Sequence, residues 1–96
     1  MPLPRSESTD RLFESFLSLR SVEDCYRYFE DLCTIKEVLS MAQRLEVARL
    51  LASGESYQKV TDDTGVSSAT VGRVKRCLDY GTGGYHMILE REAEAK

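Results

Sequence analysis

Residues 56–78 read SYQKVTDDTGVSSATVGRVKRCL and predict a helix, a tight turn and a second helix. Gly65 stands where the turn needs a positive φ angle, which glycine adopts without steric cost. Ser67 follows as an N-cap, because its hydroxyl can accept a hydrogen bond from an amide of the second helix. Four valines are spaced so that two short helices crossing at this turn share a small apolar core. They are Val60, Val66, Val71 and Val74.

The second helix of this motif presents small polar residues first and basic residues after them. A helix that reads the DNA major groove has this order, since its N-terminal residues approach base edges and its basic residues hold phosphates. Thr61 and Thr64 stand where helix-turn-helix units usually carry a small residue and an apolar residue, and threonine can serve in both places. The pattern predicts a helix-turn-helix over residues 56–79; the alternative is a plain helical hairpin without a ligand. The outward residues are Ser68, Ala69, Thr70, Arg73, Lys75 and Arg76.

Positive charge is concentrated around this motif, although the chain as a whole is acidic. The 96 residues carry a net charge of −3. Residues 1–42 hold 5 basic and 8 acidic residues, residues 43–78 hold 6 and 4, and residues 79–96 hold 2 and 4. The segments therefore carry −3, +2 and −2. This distribution favours a local contact with nucleic acid and argues against indiscriminate coating of it.

Composition excludes several other classes of protein. An apolar fraction of 42% is ordinary for a folded domain,. No apolar run approaches the roughly 18 residues of a membrane span and no signal peptide is visible, so we expect a cytoplasmic protein. Three cysteines make a poor disulfide framework, and without a CxxC pair we expect no metal site,. His86 is the one histidine and has no nucleophile at a recognisable spacing, so an enzyme is the weakest interpretation,.

The remaining elements also read as helices. Pro2 and Pro4 predict a flexible arm over residues 1–8, followed by a single domain over residues 9–96,. Helices are predicted over residues 9–19, from Ser21 onward, from Thr34 to about residue 52, and over residues 85–94. The second of these has an apolar stripe that we expect in the core. The fold class is therefore all-α. The stripe comprises Val22, Cys25, Tyr26, Phe29, Leu32 and Cys33.

The long helix over residues 35–52 is apolar on more than one face, and such a helix needs burial on several sides,. This pattern predicts that the helix is the spine of a homodimer. The alternative is a monomer whose own helices wrap it.

Residues 25–81 resemble the Trp repressor-like proteins of the YerC/YecD type. The matching runs are DLCT at 31–34, QRLEVA at 43–48, SATV at 68–71 and RVKRCL at 73–78, together with Gly54 at the end of the long helix. The resemblance implies a six-helix, intertwined homodimer. Its two helix-turn-helix units would read successive major grooves of a two-fold symmetric site on double-stranded DNA.

The resemblance also implies a position for an effector. In the tryptophan repressor, L-tryptophan lies between the long helix and the recognition helix, and Thr34, Arg44 and Arg73 match residues that flank it. Val74 and Cys77 stand where the repressor has glycine and serine. Valine would intrude on the space for the ring and cysteine is a weak hydrogen-bond partner, so we expect no cofactor and no L-tryptophan binding.

The predicted function is a sequence-specific transcriptional regulator, acting as a repressor. The alternative is a non-catalytic protein-interaction module on the same helical scaffold. DNA base contacts are predicted for Ser68, Ala69, Thr70 and Arg73. DNA phosphate contacts are predicted for Gln43, Ser56, Tyr57, Gln58, Lys59, Lys75 and Arg76,.

Overall fold

A computed structural model of the protein describes residues 2–95, which form six α-helices and no β-strand. The prediction of an all-α fold is therefore confirmed. Met1 of the predicted arm and Lys96 of the predicted domain lie outside the described residues. The helices are α1 (Glu7–Phe16), α2 (Val22–Leu32), α3 (Ile35–Ala52), α4 (Tyr57–Thr64), α5 (Ser68–Tyr80) and α6 (Gly84–Glu94).

The chain forms two compact units, one up to Ile35 and one from Lys36 onward. The first unit contains α1 and α2. The second contains α3 after its first residue, together with α4, α5 and α6. The single domain predicted over residues 9–96 stays a prediction.

Aromatic contacts join α1 and α2 within the first unit. The ring of Phe16 packs against Tyr28 and Phe29, with ring centroids 6.1 and 5.3 Å away. The hydroxyl oxygens of Ser15 and Tyr28 lie 2.7 Å apart, within hydrogen-bond distance. Edge-to-face and tilted arrangements of this kind stabilise aromatic pairs beyond the area that they bury.

The limits of α1 differ from the prediction at both ends. Ser6 is the N-cap, and its hydroxyl accepts a hydrogen bond from the Thr9 amide at 3.1 Å. The helix therefore begins at Glu7, inside the predicted arm, and it ends at Phe16 rather than at Leu19. Capping by Ser6 satisfies an amide that would otherwise lack a partner, which explains the earlier start.

The prediction that the apolar stripe of α2 lies in the core was wrong for part of the stripe, because several of its side chains are exposed in the single chain. Val22 and Tyr26 are 74% and 62% exposed, and Cys25 is exposed as well. Tyr28, which the stripe omits, contacts Phe16 together with Phe29, which belongs to the stripe. The partner helix decides which side of α2 faces inward, and the apolar side of α2 is wider than one neighbour covers.

The core of the second unit joins α3, α4 and α5. It consists of short aliphatic side chains that are at most 1% exposed. Val47 and Ala48 of α3 therefore pack against the side chains at the crossing of α4 and α5. The core residues are Val47, Ala48, Val60, Val71 and Val74, with Leu50, Leu51, Val66, Leu78 and Tyr85 packed around them.

Helix α6 is held to this core by polar contacts. Arg49 of α3 donates hydrogen bonds to both carboxylate oxygens of Glu92, from Nε at 3.2 Å and from Nη2 at 2.7 Å. The hydrogen bond with Glu92 is the main cause of the raised pKa of Arg49. His86 Nε2 lies 2.8 Å from the carbonyl oxygen of Leu78, near the end of α5. None of the helices in residues 2–95 has the length and apolar character that crossing a membrane requires.

Substitution of Gly65 by alanine is expected to destabilise the fold. Gly65 has φ 70°, and an L residue in this left-handed conformation costs about 1–2 kcal/mol,. Gly84→Ala is the matched control, since Gly84 does not have a positive φ and an added Cβ would meet only the Thr82 hydroxyl at 3.9 Å. Urea denaturation of both variants measures the difference. Equal stabilities would show that the turn accepts an L residue.

Candidate nucleic-acid interface

Local hydrogen bonds build the turn between α4 and α5. Gly65 is left-handed, as predicted, and its amide donates to the Thr61 carbonyl at 3.0 Å. The hydroxyl of Thr64 donates to the Val60 carbonyl at 2.7 Å and accepts from the Val66 amide at 3.2 Å. Thr64 therefore satisfies backbone groups at the place where an apolar residue is usual in such motifs.

Serines cap both helices of the motif. The Ser67 hydroxyl accepts from the Thr70 amide at 3.2 Å, which confirms the predicted N-cap of α5. The Ser56 hydroxyl accepts from the Lys59 amide at 3.1 Å. A hydroxyl that accepts one hydrogen bond can still donate its own proton, so capping by Ser56 is compatible with its predicted phosphate contact.

One side of α5 is buried and the opposite side is exposed. Val71 and Val74 face the core. Ala69, Arg73 and Arg76 follow each other at helical spacing on the exposed side,. Of the four predicted base-contact residues, three are exposed and one is half-buried, with its hydroxyl accepting from Ser67 at 3.1 Å. The exposed three are Ser68, Ala69 and Arg73, and the half-buried one is Thr70.

Acidic residues four positions further along the chain engage three of the predicted phosphate-contact side chains. Lys59 Nζ lies 3.1 Å from an oxygen of Asp63, and Lys75 Nζ lies 3.2 Å from an oxygen of Asp79. The amide of Gln58 donates to the Asp62 carboxylate at 2.9 Å. The hydrogen bond with Asp63 is the main cause of the raised pKa of Lys59. These carboxylates are absent from the predicted interface, although their i, i+4 spacing is a signal for such pairs.

The two arginines of α5 differ from the two lysines. Within residues 2–95, neither Arg73 nor Arg76 forms an ion pair with an acidic side chain, and both are exposed. Their guanidinium groups are therefore available to a ligand without the loss of an internal pair. A guanidinium group can make paired hydrogen bonds to a guanine edge or to a phosphate.

Two other predicted phosphate contacts have neighbours that the sequence did not indicate. The Tyr57 hydroxyl donates to the backbone carbonyl of Ser68 at 2.5 Å, so this side chain is engaged with α5. Gln43 is exposed on α3 and borders a cleft of about 370 Å³ between α3 and the turn of the motif. The other residues along the cleft are Glu46, Leu50, Asp63, Thr64 and Val66.

The residues of the predicted effector position belong to different parts of the chain. Arg44 is half-buried on α3, and its Nε donates to the Ser40 carbonyl at 3.4 Å. Arg73 is on α5 in the same unit, whereas Thr34 belongs to the first unit. An effector pocket that includes these residues stays a prediction. In the described part of the chain, no three histidine, cysteine, aspartate or glutamate side chains form a group that could hold a metal ion.

Comparisons with known proteins agree on one family. The family model of the Trp repressor protein matches residues 7–93. The uncharacterized protein YerC of Bacillus subtilis (strain 168) is 54% identical over 92 residues, which are 96% of this chain and 88% of YerC. A candidate Trp repressor from Staphylococcus aureus superposes with a TM-score of 0.90 at 43% identity, over 93% of this chain and 89% of that one. A TrpR-like protein from Eubacterium eligens ATCC 27750 gives a TM-score of 0.89 at 42% identity, over 93% and 92%. The six-helix arrangement and the sequence agree in these comparisons, and the chain belongs to the Trp repressor family.

Proposed function

We propose that the protein is a sequence-specific DNA-binding transcriptional regulator that represses its target genes as a homodimer. The observation that carries this proposal is the exposed side of α5, where Arg73 and Arg76 have no acidic partner among the described residues and follow exposed small residues. Membership of a regulatory, non-enzymatic family supports it. The proposal includes no cofactor, and L-tryptophan is expected to leave DNA binding unchanged.

The geometry suggests separate roles for the arginines and the lysines. Arg73 lies one turn after Ala69, near the start of α5, where a major-groove helix approaches base edges,. Lys59 and Lys75 are each paired with an aspartate, so a phosphate would have to replace that carboxylate. Such exposed pairs are weak, and phosphate contacts release counterions from the DNA. Phosphate can therefore replace aspartate as the partner of these lysines at low salt.

The homodimer is supported by apolar side chains that a single chain leaves exposed. On α3, Ile35 is 81% and Leu39 is 58% exposed. On the first unit, Phe13, Leu17 and Leu32 are exposed as well. Ile35 and Leu39 are four positions apart and lie on one side of α3, and contiguous exposed apolar surface is typical of protein–protein contact sites,. A second copy that covers them would also place two helix-turn-helix units on one two-fold symmetric site.

A protein-interaction module is the second candidate function, and the charges of the motif favour it. The whole chain carries −3, and both lysines of the motif are internally paired. In this case α5 would contact another protein rather than DNA. The two functions differ in the dependence of binding on salt, because phosphate contacts give a steep decrease of affinity with ionic strength.

Selection of duplex DNA from a random pool at two salt concentrations tests the DNA-binding function. We expect enrichment of a two-fold symmetric site with half-sites about one helical turn apart. Arg73→Ala should relax the preference for the selected site, since an arginine paired with guanine gives roughly 1–3 kcal/mol of discrimination. Lys75→Ala should weaken binding to all sequences alike and reduce the salt slope by about one.

The control for this test is Lys36→Ala, a lysine of α3 outside the motif. Repetition with L-tryptophan tests the expectation that no co-repressor is needed. Unchanged binding curves for both Arg73→Ala and Lys75→Ala would contradict the assignment of α5 to the groove. Absence of any enriched sequence would favour the protein-interaction module.

Introduction of a charge at Leu39 is expected to dissociate the homodimer. Leu39 is 58% exposed in the single chain, and a glutamate buried in an apolar interface loses its hydration without gaining a partner,. Analytical ultracentrifugation of Leu39→Glu should show a dissociation constant raised at least about tenfold. Leu3→Glu is the matched control, because Leu3 lies before α1 and is also exposed. A stable dimer of Leu39→Glu would exclude this part of α3 from the interface.

A further inference from the structure

We infer that Tyr57 positions the start of α5 for base readout, and that glycine at position 72 leaves the space in which the Tyr57 hydroxyl makes this contact. The inference rests on the proposed function and deepens it, since it assigns a specificity-determining role to two residues outside the set of predicted base contacts. The sequence predicts a phosphate contact for Tyr57 and no role for Gly72.

The first observation is the hydrogen bond from the Tyr57 hydroxyl to the Ser68 carbonyl oxygen, at 2.5 Å. Tyr57 is the first residue of α4, and Ser68 is the first residue of α5. Helical bonding uses one lone pair of this carbonyl for the amide four residues later, and the second lone pair is free to accept from Tyr57. A side chain at the start of one helix thus holds the backbone at the start of the other.

The second observation is the space above Gly72. A Cβ added at Gly72 would lie 2.6 Å from the Tyr57 hydroxyl oxygen and 3.7 Å from the Cζ atom that carries it. The first distance is a clash, and the second is an ordinary contact. Glycine weakens the interior of a helix, and Gly72 lies inside the 13-residue α5,. The hydroxyl of Tyr57 therefore gives a physical reason for glycine at this position.

Together, the core and the tyrosine fix the direction of α5. Val60 and Val71 are buried where α4 and α5 cross, but apolar contacts are non-directional and allow small rotations,. The hydrogen bond from Tyr57 is directional and acts on Ser68, which is itself a predicted base contact. A small rotation of α5 would move Ser68 and Ala69 relative to the base edges while leaving the basic side chains close to phosphates. Loss of the bond is therefore expected to reduce sequence preference more than total affinity.

The stability part of the test needs no DNA. It uses Tyr57→Phe, Gly72→Ala and the double variant, with Tyr80→Phe as the control for removal of a hydroxyl from another exposed tyrosine. In the wild-type background, the methyl of Gly72→Ala displaces the tyrosine ring and breaks the bond with Ser68. In the Tyr57→Phe background, the methyl meets no closer atom than Cζ. Gly72→Ala should therefore raise the urea midpoint in the Tyr57→Phe background, and should raise it less, or lower it, in the wild type.

The DNA part of the test compares the affinity of each variant for the selected site with its affinity for a random duplex of the same length. The measurements are made without urea, at a temperature where all variants are folded. Tyr57→Phe and Gly72→Ala should each lower the affinity for the selected site by about three- to tenfold, the range expected for loss of one hydrogen bond. Binding to random duplex should stay unchanged. The double variant should be no weaker than Tyr57→Phe alone, because both substitutions remove the same bond. Tyr80→Phe should change neither affinity.

The possible outcomes separate this inference from the function on which it rests. The positioning role is supported if the two substitutions change the urea midpoint non-additively and lower the affinity for the selected site more than the affinity for random duplex. Equal effects of Gly72→Ala in both backgrounds would overturn it, whatever happens to DNA binding. Non-additive changes in the urea midpoint together with an unchanged preference for the selected site would overturn the positioning role, but they would not contradict the DNA-binding function. A wild-type protein that selects no site would overturn both.

Discussion

The contact between α3 and the helix-turn-helix through short buried side chains is the constraint on which the second unit depends. Val47 and Ala48 of α3 meet Val60, Val71 and Val74 where α4 and α5 cross, and all are at most 1% exposed. Close-packed interiors respond to a change of even one methylene group. A core of short side chains therefore fixes the distance between the helices and determines which side of α5 stays exposed.

One side of α5 is buried in the core, so the charged side chains of the motif lie on the exposed surface of α4 and α5. The lysines and the arginines on this surface differ in whether they form ion pairs with acidic residues. Lysines are paired with aspartates one turn further along the same helix, whereas the α5 arginines have no acidic partner in residues 2–95. Exposed lysine–carboxylate pairs contribute little to stability. The main effect of these pairs is to lower the positive electrostatic potential around the lysines. The positive potential of the motif is therefore highest around the unpaired arginines, on the exposed side of α5 that is proposed to contact DNA.

Within residues 2–95, the buried core of five side chains is small for a domain of this size. Small domains bury a limited fraction of their surface, and many obtain further stability from association. The exposed apolar side chains on α1, α2 and the first half of α3 are therefore consistent with the proposed second copy. Helix α6 has a different role within the second unit, since its Glu92 is hydrogen-bonded to Arg49 and its Tyr85 packs on the core.

The sequence by itself determined features that depend on near neighbours in the chain. The Gly65 turn and the Ser67 cap were predictable because a left-handed residue and an N-cap involve backbone groups within about four residues,. The Lys–Asp pairs could have been found by the same spacing argument. Only the tertiary structure decided that Tyr28, rather than Tyr26, packs on Phe16, because the partner helix sets which side of α2 is buried. It also decided that Tyr57 reaches Ser68 and Gly72, since the crossing of two helices brings together residues 11 and 15 positions apart.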